Sequence, residues 1–571
     1  MPLGPKKRWL LPIALVSFLL VAYWHALSLA FLNDDYFFLE QVRDRSFWNL
    51  WGAEHLQFHW YRPWSREFHY WSLSRLLGLS EPRFHAVSFA LWLLVMVFYF
   101  KLVERITNRH AAAVSVAGLA LLGLWGGPLL WIAGAQDLWM LFFGLLFLHA
   151  VLSDRVVPGL LALGLALLSK ETAAVLPAVA TALERTVGGR TLREALRRTW
   201  AFWAGAAVWL VLHPTLRERF SGNLDHTLET ENRPSSPAIV VKTLLAQFNL
   251  DAALAPESGW GLALLRGALS GAFLVGLVWV LCRAHEEPPA SSDDSSARRR
   301  VLIFGAIWAT LGFAILLLPS IGWHAYYGVL GSLGFWLALG AGLSRHRRIA
   351  IVTIAVLALL RGARADTPSW DWGTDWYQTR AGILLGDIRN RLFRFHPAVP
   401  ARSRFYFARI PNNIGLLAGD GPALRIWYND PSLRALYYSA YMPRSPDDSL
   451  GEDYFFRFDT VQVLVEIKHG PERMPEAVQL NPGWQRDHEV LASMFIRAGN
   501  VSGAAAEYAK LAGAFPQESE YALYAAAAHE ALGEHEAAAR HYKVAAASYG
   551  DSAARRMTDE LLGDLPRPRA R

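Results

Sequence analysis

Long apolar runs, separated by short basic or aromatic links, set the first limit on what this chain can fold into. They fall near residues 9–32, 84–102, 111–130, 131–153, 156–169, 171–184, 199–213, 261–282, 301–319, 323–344 and 347–363. The full-length runs approach the ~20 residues that a helix needs to cross a ~30 Å hydrocarbon core. Runs so long and so numerous do not suit a globular core. Inside a bilayer only helices and closed barrels satisfy every backbone polar group. The expected fold is a polytopic α-helical membrane protein of about eleven spans, with a soluble part beyond residue 364.

The run 156–184 has two readings. As one helix it is roughly 43 Å long and holds Ser169-Lys170-Glu171 near its centre. As two half-length helices it turns at 169–171. Charge chooses between them. Lys6, Lys7 and Arg8 place the N-terminus in the cytoplasm, and alternation then places Lys101, Arg105 and Arg109 inside. A single span would send Arg185, Arg190, Arg193, Arg197 and Arg198 outside, against the positive-inside bias. The hairpin returns them to the cytoplasm, with Arg283, Arg298 to Arg300, Arg345, Arg347 and Arg348. The outer face receives the first loop 33–83, the turn 169–171, the loop 214–258, the stretch 322–327 and everything after residue 364. The net charge of +7 therefore reflects orientation, and no nucleic-acid partner is expected. The first run follows a basic cluster like a signal peptide, but it is longer and ends in Asn33-Asp34-Asp35, so it reads as a retained anchor. Cys282, the one cysteine, excludes an intrachain disulfide and a Cys-based zinc cluster. The stretch Glu286 to Ser296 has the composition of a disordered linker.

The tail divides again. Residues 365–482 hold strand-like runs at 404–408, 423–428 and 461–465, which suggest a small α/β module. Residues 483–571 are Ala-rich with a 34-residue period: Gly499 recurs as Gly533, Ala505 as Ala539, Tyr508 as Tyr542 and Phe515 as Tyr549. That spacing fits tetratricopeptide-like helical repeats, with a plain helical bundle as the alternative.

Chemistry concentrates on the outer face. Asp34 and Asp35 stand at the mouth of the first span, where carboxylates are costly to hold near lipid. A solvated helix end would also explain them. A carboxylate in reach of an acceptor hydroxyl acts as a general base, and Lys170 and Arg62 have the charge to hold a phosphate. His324, Tyr326 and Tyr327 are weaker candidates for that task, since an aromatic belt explains them equally. Lys170 and Glu171 could instead pin the hairpin as an ion pair. His55, His59 and His69 have no metal-ligand spacing. No Walker motif, Gly-rich nucleotide fingerprint or nucleophile elbow is present.

Four features together resemble one family: Asp34-Asp35-Tyr36 after the first span, Tyr61-Arg62-Pro63 with Leu77-Gly78 and His85, Ser169-Lys170-Glu171-Thr172, and the tail repeats. The chain is similar to the GT-C glycosyltransferases, and within them to membrane O-mannosyltransferases with C-terminal tetratricopeptide repeats and their bacterial relatives. It departs from that pattern at Trp64, Ser88 and Trp92. The resemblance implies a polyprenyl-phosphate-linked sugar as donor, a protein or glycan as acceptor, and an inverting transfer at the outer face of a bacterial inner membrane, with the C-terminal domain in the periplasm. Asp34 or Asp35 would be the base. Arg62, Lys170, Glu171, His324 and Tyr327 would meet the donor phosphate, and Tyr36, Tyr61 and His85 the substrate. No dedicated metal set is read; a divalent cation (Mg or Mn) held by the two carboxylates through water stays open. The rivals are a non-catalytic scaffold that works through its tail, and a lipid or solute transporter.

Overall fold

The computed structural model describes residues 9–52, 60–214, 234–283, 292–318, 322–408, 417, 419–437, 451–458, 463–467, 485–497 and 499–565. His55, His59, residues 215–233 of the loop 214–258 and the first part of the 286–296 linker lie outside them. The chain forms two compact units, Met1–Ile383 and Leu384–Arg571.

In the first unit each apolar run becomes a helix. The order is α1 (Leu10–Tyr23), α2 (Asp34–Val42), α3 (His69–Leu77), α4 (Glu81–Ile106), α5 (Arg109–Ala120), α6 (Gly126–Leu130), α7 (Ala135–Val151), α8 (Val156–Leu167), α9 (Leu176–Thr186) and α10 (Leu192–Leu212). Then follow α11 (Ser236–Ala246), α12 (Trp260–Arg283), α13 (Ser292–Ala314), α14 (Val329–Leu343), α15 (Arg347–Ala365) and α16 (Asp375–Phe395). By length and composition six helices can cross a membrane, or seven if α5 and the stretch Gly123–Leu130, bent by 59°, are one span. This is a multi-pass membrane protein. The remaining runs give helices that miss that standard for two reasons. α8 and α9 have only 12 and 11 residues, and α10 and α15 carry several arginines each.

The 156–184 stretch is not one continuous helix but is broken at Lys170. α8 stops at Leu167, Lys170 is extended (φ −161°, ψ 139°), and a short 3-10 turn over Glu171–Val175 leads into α9.

The α13–α14 crossing depends on glycine. A Cβ at Gly334 would lie 2.7 Å from the Gly305 carbonyl oxygen and 2.8 Å from Trp308 Cβ. Small residues let backbones approach this closely where no hydrophobic effect drives helices together. Gly334→Val is expected to cost about 1–3 kcal/mol through overpacking. Gly342→Ala, on the same helix with nothing within 4 Å of its Cβ position, should leave stability unchanged or raise it. Thermal unfolding of the two variants in detergent reads the contrast.

The break between α5 and α6 is filled from a distance. Asn249 accepts from the Gly123 N–H through Oδ1 at 2.6 Å and donates from Nδ2 to the Leu121 carbonyl at 3.0 Å. Backbone groups that the bend leaves without helical partners are thus satisfied by a side chain.

The second unit contains a four-stranded sheet in the order β2-β1-β3-β4. Its strands are β1 (Arg404–Ala408), β2 (Arg434–Tyr437), β3 (Asp453–Phe458) and β4 (Leu464–Glu466). β1 runs parallel to β2 and β3, and β4 antiparallel to β3. The strand expected at 423–428 is instead the short helix α17 (Ala423–Trp427), with Ala423, Leu424 and Ile426 buried. Ala423, Ile426 and Trp427 also stand at i, i+3 and i+4, on one helix face, and Pro422, whose ring fixes φ, starts a helix readily. The expected strand at 461–465 is described only from 463 onward, as β4.

Beyond the sheet come α18 (Gln485–Arg497), α19 (Val501–Ala514), α20 (Ser519–Ala531), α21 (His535–Tyr549) and α22 (Asp551–Asp564). Gly499 and Gly533 take φ of +73° and +76° between successive helices, so the glycine repeat marks two equivalent turns. Ala505 is buried where Ala539 is exposed, so the two units are not packed alike.

Candidate functional site

Asn33 carries the chain out of the first span with φ +45°, a conformation Asn tolerates better than most residues. The turn places Asp34 and Asp35 in the first turn of α2, where the helix dipole favours negative charge. The two carboxylates differ sharply. Asp35 is 1% exposed. Its Oδ2 accepts from the Leu32 N–H at 2.7 Å, and its Oδ1 from the Ala133 N–H at 2.8 Å and the Tyr70 hydroxyl at 2.5 Å. Asp34 beside it is half-buried.

Burial pushes the Asp35 carboxyl from its ordinary 3.8 up to about 7, against the pull of its three donors. The folded protein therefore keeps a proton there that the unfolded chain releases above about pH 4. Stability from this group falls as pH rises from about 4 to about 7, by at most ~1.4 kcal/mol per pH unit. Asp35→Asn is expected to flatten that slope. Melting midpoints of the two proteins across this window test the sign, and a wild-type midpoint rising more steeply than the variant's would overturn it.

Two cations lie in the same region. The loop after Trp60 is tied to the end of α8 by the Trp64 N–H donating to the Leu168 carbonyl (3.2 Å) and the Ser65 hydroxyl donating to the Ser169 carbonyl (2.6 Å). Arg62 donates from Nε to both Glu171 oxygens at 3.1 and 2.8 Å, and from Nη1 to Gln136 Oε1 at 2.7 Å. Lys170 Nζ donates to both oxygens of Asp137 at 2.7 Å. Both members of that pair are buried.

The beginning of α7 and the turn before it hold these pieces together. Ala133 binds Asp35, Gln136 binds Arg62, and Asp137 binds Lys170. Ala133 and Asp137 lie about 6 Å apart along a helical backbone, so the acidic turn and both cations share one end of the bundle. Neither Gln136 nor Asp137 was anticipated from sequence. The signal was there: both are polar residues inside the 131–153 apolar run.

The stretch 322–327 contributes aromatic faces. Lys170 Nζ lies 5.0 Å from the Tyr327 ring centre and 5.3 Å from that of Tyr326, within cation–π range. His324 makes a 2.5 Å hydrogen bond through Nδ1 to Asp371 Oδ1, and its ring centre is 4.0 Å from that of Trp372. His324 is thus placed through Asp371, another partner that the sequence did not reveal.

Three of the expected contact residues are engaged by, or enclosed in, the protein itself. Glu171 spends its carboxylate on Arg62, and an anion there repels a phosphate, so it anchors the arginine. Tyr36 and His85 are both fully buried, with His85 Nδ1 3.2 Å from the Leu129 carbonyl, and present no surface to a substrate. Tyr61 donates its hydroxyl to the Trp51 carbonyl at 2.8 Å and remains half-buried. Among the described residues no group of three His, Cys, Asp or Glu side chains is placed to hold a metal ion. Both oxygens of Asp35 are engaged by the Leu32 and Ala133 N–H groups and the Tyr70 hydroxyl.

Fold and site together define a multi-pass helical membrane protein with buried charge gathered at one end of its bundle. Among solved structures, the chain is similar to the oligosaccharyltransferase of Archaeoglobus fulgidus in complex with Zn and sulfate, at 11% identity over 79% of this chain and 68% of that one, TM-score 0.36. It is also similar to ArnT from Cupriavidus metallidurans bound to undecaprenyl phosphate, at 13% identity over 80% and 93% of the two chains, TM-score 0.36. No family model and no curated protein matches the chain. At these scores the likeness carries no functional argument, which has to come from the side chains.

Proposed function

We propose that this chain is a membrane glycosyltransferase that moves a sugar from a polyprenyl-phosphate donor to a hydroxyl of a protein or glycan acceptor, at the periplasmic face of a bacterial inner membrane. The acceptor oxygen attacks the sugar C1 as Asp34 takes its proton. The bond from C1 to the phosphate oxygen breaks, its electron pair leaves with polyprenyl phosphate, and the configuration at C1 inverts. Lys170 and Arg62 stabilise the departing phosphate, which already carries charge and so needs no general acid. Asp35, bonded on both oxygens, fixes the turn that presents Asp34. Asp137 and Glu171 hold the two cations in place before the donor arrives, and Tyr326 and Tyr327 wall the lysine, with His324 against their rings.

The observation that supports this reading best is the convergence on the start of α7 of the Asp34–Asp35 turn, Arg62 and Lys170. An acid–base group and phosphate-binding cations on one side of the bilayer are what the reaction needs. The test is to incubate purified full-length protein with a panel of polyprenyl-phosphate sugars and an acceptor extract. Sugar leaves one carrier and polyprenyl phosphate accumulates if the proposal holds; every carrier stays intact if it fails.

A further inference from the structure

A second charged feature lies where the transfer reaction does not reach. Between the end of α12 and the start of α15 opens a groove of about 580 Å³, lined by Trp279, His346, Arg347, Arg348, Ile349 and Ile351. Its size is within the ~300–1,000 Å³ of pockets that enclose small organic ligands. The Arg347 guanidinium stands over the Trp279 ring, 6.0 Å from its centre. Arg298 donates from Nη2 to the Gly342 carbonyl at 2.8 Å, which brings another guanidinium to the last turn of α14. Among the described residues no carboxylate pairs with Arg345, Arg347 or Arg348. This departs from the pattern at the other end of the bundle, where Lys170 and Arg62 each face an acid.

The groove also has an apolar side. Ile349, Val352 and Val356 are 54%, 60% and 47% exposed and recur at i, i+3 and i+7, on one face of α15. Trp279, 43% exposed, flanks the basic rim. Tyr326 and Tyr327, beside Lys170, precede the 15-residue α14, and Arg345 to Arg348 follow it. The groove is therefore roughly 20 Å from the transfer site along that helix axis, at the opposite bilayer surface.

We propose that this groove binds the headgroup of an anionic phospholipid, with its phosphodiester between Arg347 and Arg348 and its acyl chains along Ile349, Val352 and Val356. Guanidinium groups make charge-assisted hydrogen bonds to phosphate oxygens. Basic pockets between membrane helices are recognised acidic-lipid sites. The exposed apolar stripe favours a lipid over free phosphate, because only the lipid has a tail to cover it. The site does not depend on the transfer reaction, and its test reads lipid instead of sugar.

Full-length protein in detergent is exchanged with equal amounts of phosphatidylglycerol and phosphatidylcholine, and retained lipid is counted by native mass spectrometry. The wild type should keep phosphatidylglycerol in preference. Each arginine near an anionic surface is worth about fivefold, so R347Q/R348Q should lose roughly 25-fold of that preference. R556Q, on the exposed surface of the C-terminal helices, should lose none. Equal retention of both lipids by the wild type overturns the proposal. So does undiminished phosphatidylglycerol on folded R347Q/R348Q, or displacement of the lipid by inorganic phosphate. Melting midpoints report folding; should R347Q/R348Q fail to fold, Trp279→Leu carries the comparison, with loss of preference expected and its retention counting against the site.

Discussion

Asp34→Asn is expected to lower sugar transfer by about 10² to 10⁴-fold, the range that a positioned general base contributes. Protein level and melting midpoint should stay close to wild type, because Asp34 is half-buried where Asp35 is fully enclosed. Asp35→Asn should behave differently. Its amide nitrogen would face a donor, the Leu32 N–H or the pair from Ala133 and Tyr70, so the loss appears in the positioning of the turn as well as in rate. The measurement is release of labelled sugar from the polyprenyl carrier, with the folded fraction determined on the same preparation. A folded Asp34→Asn protein turning over at the wild-type rate would end the assignment of the base.

The other large effect is at Asp137. Lys170 is buried, and Asp137 is its carboxylate partner at 2.7 Å. Removing one member of such a pair leaves an uncompensated charge and costs about 3–5 kcal/mol, whereas replacing both with apolar groups is often neutral. Asp137→Leu should therefore fold poorly, while D137L/K170M should recover the melting midpoint. The recovered protein should still fail to transfer sugar, because the cation facing the leaving phosphate is gone. Recovery of both fold and activity would show that the pair only ties the break after α8 to α7. Recovery of the fold alone supports Lys170 as a donor-binding group.

Much of this architecture was legible in the residues. Apolar length located the helices, and the polar Ser169-Lys170-Glu171 inside an apolar run marked where one of them breaks. What composition could not supply was pairing at a distance. Asp137 is a single acid in an apolar run, and nothing local says that its partner lies 33 residues further on. Asp371 likewise meets His324 from 47 residues away. The sequence showed two adjacent aspartates as equivalents; full burial and the bonds from the Leu32 and Ala133 N–H groups and the Tyr70 hydroxyl set Asp35 apart. In the tail, Ala423 to Trp427 read as a strand because five residues are too few to distinguish periods of two and 3.6. β2 and β3 were missed: each strand takes its ladder from neighbours that a local pattern does not name.

The Asn249 side chain at the break between α5 and α6 has a consequence for biogenesis. The Gly123 amide and the residue that satisfies it are separated by 126 positions. During synthesis the bent segment leaves the ribosome well before its plug exists, and through that interval water, headgroups or a helper protein must occupy those backbone groups. Asn249→Leu should accordingly act on the newborn chain before the mature one, lowering the yield of inserted protein more than the melting point of the fraction that matures.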